Sequence, residues 1–417
     1  MKIGAFSKRC GLSQDTIRFY IKSGLLMPAH EGAQYAFTEN DVRIANDITA
    51  LKGLRFSLQE IKSYLSLIYL LGEDDPIILE ERLRLFEKKK KELQDEIAER
   101  QSAITRIDEA ESTCAENETS HGSHSLGVPI AALHLLCCPE CHRQLNIHNA
   151  RLDTQYVYSG TLSCDCGYSA AIVDGIIDTG SRYSGDSDHP DLERAIYRAS
   201  ASGTAGRELK EGSAFITRRL SDMDLSGKIL FEGYTNNLVY TCHNLNVFPD
   251  DCVCILVDKF PEVLRLYKML CERRSLRKKI VFIASSNERI PIRRSCIDVM
   301  IDYFGENENS FYSDTTFFSA MEPFLKSRAL ILSAFSVPKK KRVYWQQIRG
   351  RYPECARECP DIDLLKGDMR SKGFQVEICS GSTAVYSILP LYQPISLDQP
   401  LEMTNYYIIA ERNERRP

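Results

Sequence analysis

Four cysteines carry the most specific chemistry in this 417-residue chain. Cys138 and Cys141 enclose Pro139-Glu140, and Cys164 and Cys166 enclose Asp165. Two close thiol pairs, each delivered by one tight turn, suit a tetrahedral Zn2+ whose shell is closed, a structural site with no open position for catalysis. A different chemistry is written at the N-terminus. Ser13 is placed to cap a helix that carries Gln14, Thr16, Arg18, Tyr20 and Lys22. Side chains of such a helix can meet base edges in a major groove, and its cations can meet phosphates.

These groups need elements to hold them. Ile3, Phe6, Ile17 and Tyr20 recur at helical spacing on either side of Gly11, which predicts two short helices joined by a turn, a helix-turn-helix. Between Met1 and Pro28 five Lys or Arg residues face one acid, Asp15, although the whole chain has a formal charge of −4. Only this end is composed to replace counterions on a nucleic acid backbone. Farther on, Leu79, Leu83, Phe86, Lys90, Leu93, Ile97, Arg100, Ile104 and Ile107 alternate spacings of four and three. That is a heptad seam, read either as a dimerisation coiled coil or as an amphipathic helix packed on its own chain. The polar stretch 113–130 reads as a linker, and its His121 and His124 could bind metal, although isolated linker histidines usually bind nothing.

From about Leu192 onward, apolar runs alternate with helical stretches. Gly227–Gly233, Cys252–Asp258, Lys279–Ala284, Ile297–Asp302 and Ala329–Ser333 are five such runs. The alternation implies a parallel α/β sheet that binds ligands beyond the strand C-termini. No apolar run reaches the ~20 residues needed to span a bilayer, and no apolar leader opens the sequence. A cytoplasmic location without membrane contact is expected. The 15 cysteines are then thiols or metal ligands rather than disulfides.

Three segments resemble known families. Arg18-Phe19-Tyr20, Lys22 to Pro28, Phe37 to Val42 and Leu51 to Ile61 together look like the winged helix-turn-helix of MerR-family transcription regulators. The resemblance implies that Ser13, Gln14, Thr16, Arg18, Tyr20, Lys22 and Tyr35 face double-stranded promoter DNA. It also implies a homodimer joined through an antiparallel coiled coil, and a C-terminal effector that alters how the paired heads twist the promoter, with RNA polymerase affected indirectly. Two departures stand out: Ile21 takes the place of an acid, and the wing residues Gln34-Tyr35 lack the usual Arg.

The cysteine segment is similar to the zinc ribbons that precede methyltransferase domains in some RNA guanine methyltransferases, with Cys-x-Cys replacing the second Cys-x-x-Cys. The C-terminal portion looks like a class I methyltransferase, which implies S-adenosylmethionine bound by Glu232, Gly233 and Asp258, the last holding the ribose. Its cofactor loop, Glu232 to Asn237, offers only one glycine.

The expected architecture is multidomain α and α/β. It comprises a winged helix-turn-helix (1–72), a coiled-coil helix (76–112), a linker (113–130), a small zinc ribbon (131–180) and a Rossmann-like methyltransferase fold (190–417). The leading expectation is a DNA-binding regulator whose C-terminal portion senses an effector or serves as scaffold, with no catalytic residue assigned. The alternatives are a working S-adenosylmethionine-dependent methyltransferase with a nucleic-acid-targeting head, and a sensor in which oxidation of the cysteines, Cys137 included, releases metal.

Overall fold

The computed structural model describes the chain except residues 33, 73–74, 120–124, 181–188, 195–203, 237, 275–277, 288, 350–359, 390–394 and 413–417. His121, His124 and Asn237 lie outside the described residues. Two units result, Met1–Asn117 and Glu118–Pro417.

In the first unit, helix α1 (Ile3–Cys10) ends at Gly11, whose φ of 65° suits a residue without a side chain. Helix α2 (Gln14–Lys22) follows, then a two-stranded wing, β1 (Ala29–Glu31) with β2 (Gln34–Ala36). Helices α3 (Glu39–Gly53) and α4 (Leu58–Leu71) each begin with a reciprocal capping box, Thr38 with Asp41 and Ser57 with Glu60. Phe6, Ile17, Tyr20, Leu26, Phe37, Ile48 and Leu65 form their common core.

Helix α5 runs from Pro76 to Thr119, 44 residues and about 66 Å at 1.5 Å per residue. The segment expected to be a linker from 113 is therefore helical to Thr119, and its far end is already strand β3 (Val128–Pro129). Ala115, Glu116 and Glu118 favour helix, and the Thr, Cys and Asn residues among them each cost at most about 0.7 kcal/mol relative to Ala, so a helix already formed can run on through them. Near its start α5 packs on the first core through Ile78, Leu85 and Phe86. Other positions of the seam are open: Leu83 is 55% and Ile97 67% exposed.

The second unit is built on one 12-stranded sheet. Strands β8 (Ile229–Gly233), β9 (Val253–Asp258), β10 (Lys279–Ala284), β11 (Ile297–Tyr303) and β12 (Leu325–Pro338) lie parallel in the order β10-β9-β8-β11-β12. The antiparallel β14 (Ile395–Arg412) and then β13 (Phe374–Leu389) complete that side. This is the methyltransferase-like α/β arrangement the sequence implies, with the order reversing between β8 and β11.

Every residue of β8 and β9 is buried, as strands covered on both faces require. Alternate residues serve opposite faces. Phe231 and Ile255 join one core with Phe317, Leu365 and Met369, while Leu230 and Leu256 join the other with Ile216, Val263 and Leu264.

The cysteine segment is not a separate body. Its strands β4 (Asn146–Leu152), β5 (Tyr156–Ser163), β6 (Ser169–Val173) and β7 (Ile176–Asp178) are antiparallel to one another, and β7 pairs in parallel with β10. Leu135, Cys138 and Leu162 share a core with Phe231 and Ile292. Residues 131–180 and 190–417, expected as two domains, thus share one sheet and one core.

Candidate functional sites

On α2, the Ser13 hydroxyl accepts from the Thr16 amide at 3.1 Å, satisfying one of the first-turn donors. The cap fixes where the helix begins and so which side chains face outward. Ser13, Gln14, Arg18 and Lys22 are exposed, and Thr16 is half-buried. Arg18 rests against Asp15 at 3.1 Å, an exposed pair that costs little to open for a phosphate.

Tyr20, expected both to pack with Ile17 and to face DNA, lies in the core. It is 2% exposed, in the core beside Ile17, and its hydroxyl accepts from Lys52 Nζ at 3.4 Å. The i, i+3 spacing from Ile17 turns it inward, so its ring supports α2 from within the core. Tyr35 sits across the wing from His30, ring centroids 4.5 Å apart, and is half-buried.

The four cysteines converge. Cys138 Sγ lies 3.4 Å from Cys166 Sγ and Cys141 Sγ 3.3 Å from Cys164 Sγ, with all four sulfurs within 4.8 Å of one another. A tetrahedral Zn2+ with sulfurs at ~2.3 Å places them about 3.8 Å apart, so the donor set fits the metal. The Arg143 guanidinium beside Cys141 holds its thiol down to about 6, favouring the thiolate that binds metal. Cys137 is not part of the cluster. It is buried, its thiol is pushed up by burial, and it faces Gln144.

The turn between the paired cysteines is tied to the α/β half. Glu140 forms an ion pair with Arg289, the Cys137 amide donates to Pro291 O, and the Arg293 amide donates to Leu135 O. Single-sequence reading missed these ties, because nothing local to residues 289–293 announces a partner 150 positions earlier.

At the ends of β8 and β9 the expected cofactor residues are used by the protein itself. Glu232 accepts from the amides of Tyr240 and Thr241 at 2.6 and 2.9 Å, and burial pushes its carboxyl up to about 7. Asp258, 2% exposed, accepts from the amides of Asn236 and Phe260 at 2.6 and 3.0 Å. Gly233 is enclosed: a Cβ there would lie 2.5 Å from Asn287 Oδ1 and 2.9 Å from the Phe317 ring.

The next residue, Tyr234, takes a left-handed φ of 56°, a conformation that favours glycine. Its hydroxyl donates to Asn309 Oδ1 at 2.8 Å, and its ring stands edge-on to Phe317. Asn287, Phe317 and Tyr312 were not anticipated; only a fold places them over Gly233 and Asp258.

Among the described residues, no helix is long and apolar enough to cross a membrane. Residues 1–68 match the family model for MerR HTH family regulatory proteins. An uncharacterized HTH-type transcriptional regulator of Haemophilus influenzae is 35% identical over 95 residues, 22% of this chain and 67% of that protein. The mercuric resistance operon regulatory protein of Shigella flexneri is 32% identical over 116 residues, 27% of this chain and 76% of that protein. A solved phosphoethanolamine N-methyltransferase of Haemonchus contortus is similar over 49% of this chain and 53% of its own, at 10% identity and a TM-score of 0.35. The matched relatives account for about a quarter of the sequence, and the α/β architecture rests on its own strand order. Through its capped reading helix, its wing and these relatives, the chain belongs to the MerR family of helix-turn-helix regulatory proteins.

Proposed function

We propose that this protein is a dimeric transcription regulator that binds double-stranded promoter DNA, with RNA polymerase responding indirectly to the promoter's shape. The observation that carries the reading is the outward row Gln14, Arg18 and Lys22 on a helix fixed by the Ser13 cap. Cations and amide side chains so placed suit phosphates and base edges.

The open seam of α5 supports pairing of two copies. Leu79, Leu83, Ile97, Ile104 and Ile107 are exposed along one helix, and burying each against a partner contributes about 1.5–3 kcal/mol at full burial. Two heads on a two-fold axis then match two half-sites. Zn2+ at Cys138, Cys141, Cys164 and Cys166 holds the ribbon in register with the α/β sheet, which serves as scaffold or receives an effector.

Sedimentation of the whole chain tests the pairing, and DNase protection tests the binding. A dimer that protects two half-sites is expected, and Leu83→Lys with Ile97→Lys should yield monomers with weakened protection. A wild-type monomer, or a dimer that protects no DNA at any salt, would overturn the reading. The strand order raises a second reading, methyl transfer from S-adenosylmethionine, and the packing at the strand ends speaks against it.

A further inference from the structure

The strand ends at the switch between β8 and β11 are where a doubly wound sheet seats its ligand. In this chain a turn of protein lies there. Its conformation is glycine-like, since Tyr234 keeps a left-handed φ, but the residues it carries are bulky. Each of them is held. Tyr234 is bonded to Asn309 and packed on Phe317.

Thr235 O accepts from the Tyr267 hydroxyl at 2.9 Å, and Asn236 O accepts from Arg194 Nη1 at 3.2 Å, with the guanidinium over the Tyr267 ring. The Asn236 side chain accepts from the Asp191 amide and donates to His189 O, and its own amide is bonded to Asp258. From the opposite side Asn287 closes over Gly233.

What remains is a cleft of about 80 Å³ lined by Tyr234, Asp258, Lys259, Asn287, Tyr312 and neighbouring serines. Small-molecule sites of drug-like size run to about 300–1,000 Å³. S-adenosylmethionine, a nucleoside joined to an amino acid, belongs to that class and does not fit. To admit it, the chain would have to swing the Tyr234 ring off Phe317 and withdraw Asn287, after which a ribose hydroxyl can compete with the Asn236 amide for Asp258. The acid expected to hold the ribose is engaged by two backbone amides.

We infer that residues 234–236 and Asn287 are a built-in occupant of the cofactor site, which shuts S-adenosylmethionine out and leaves the α/β portion a self-filled scaffold. The inference rests on the methyltransferase-like fold and is independent of DNA binding, so operator protection by the same preparation reports separately on the proposed function.

The test is titration calorimetry and thermal shift of the full chain with S-adenosylmethionine and S-adenosylhomocysteine. A ligand at about 100 times its Kd produces a stabilisation these methods read easily. Wild type should give no saturable heat and no shift. The double variant Tyr234→Gly, Asn287→Gly keeps the turn's backbone geometry and removes ring and amide together; it should gain saturable binding of S-adenosylhomocysteine. Circular dichroism and the melting transition establish that it is folded. Micromolar binding by wild type would overturn the inference, as would a folded double variant that stays silent.

Discussion

Glu60 in the N-terminal unit and Glu232 in the C-terminal unit are both glutamates that accept backbone amides, yet their surroundings drive them in opposite directions. Glu60 closes the capping box of α4 and meets Lys89 at 2.9 Å, and that ammonium holds its carboxyl down to about 2. Glu232 meets no cation in the contacts that fix it, and burial raises its carboxyl to about 7. The contrast extends to the whole of each candidate site. In the head, polar side chains are offered outward, as with Arg18, whose side chain is 61% exposed. At the strand ends, Glu232, Asp258 and Asn236 are turned inward and spend their hydrogen bonds on the chain itself. Residue type suggests what a group could bind, and access decides whether it does.

The comparison can be broken at several points. The largest effect is expected from removing the metal site. Atomic absorption should find one Zn2+ per chain in the wild type and none in Cys138→Ser with Cys164→Ser. The double change should also lower the melting transition of the C-terminal unit by roughly 10 °C, the scale of a loss of several kcal/mol in a domain of this size, and leave the N-terminal transition in place.

Next, Arg18→Ala should weaken operator affinity about 10- to 100-fold. If the side chain meets a phosphate, the slope of log affinity against log salt falls by about 1; if it meets a base, discrimination between operators falls instead. Titrations at three salt concentrations separate the two, and unchanged affinity would remove α2 from the interface.

Asp258→Ala should cost the C-terminal unit about 1–3 kcal/mol in urea unfolding, because the buried amides of Asn236 and Phe260 lose their acceptor. Operator affinity should not change.

The smallest effect is the response to pH. Glu60 contributes stability that is full above about 4.5 and disappears as pH falls toward 2, so the N-terminal unit weakens in acid. Glu232 and Asp302, the latter raised to about 6 by burial, keep their protons in the folded state after the unfolded chain has ionised. The C-terminal unit should therefore lose stability as pH climbs from about 4 to 7 and level off above. Calorimetric scans between pH 3 and 8 would show the two transitions moving in opposite senses, and parallel movement would contradict this account.

Much of the head was legible because its signals are local. A Ser before a helical run and a Gly between two helices each act within four residues. The five parallel strands were legible for a related reason, since strands buried on both faces must be continuously apolar. Tyr20 was legible as a core residue because Ile17, three residues earlier, shares its buried face. The end of α5 was misplaced because polar composition fits both helix and linker. The closure of the strand ends was only half legible. One glycine where several are needed marked the loop as altered, but Asn287 and Phe317 reach Gly233 through tertiary packing that no spacing in the sequence encodes. The pairing of β7 with β10 was equally hidden, for register between distant strands has no local signature.

That pairing has a consequence for solubility. Without β7, strand β10 would end the sheet with its backbone donors and acceptors unsatisfied, along a run in which Ile280 to Ala284 are all buried. An uncovered apolar border of that kind templates association with other chains. The ribbon covers it, and the four cysteines hold the ribbon. Metal bound at that site would therefore guard against aggregation: if the proposed zinc is held there, chelation should raise light scattering before it lowers operator binding.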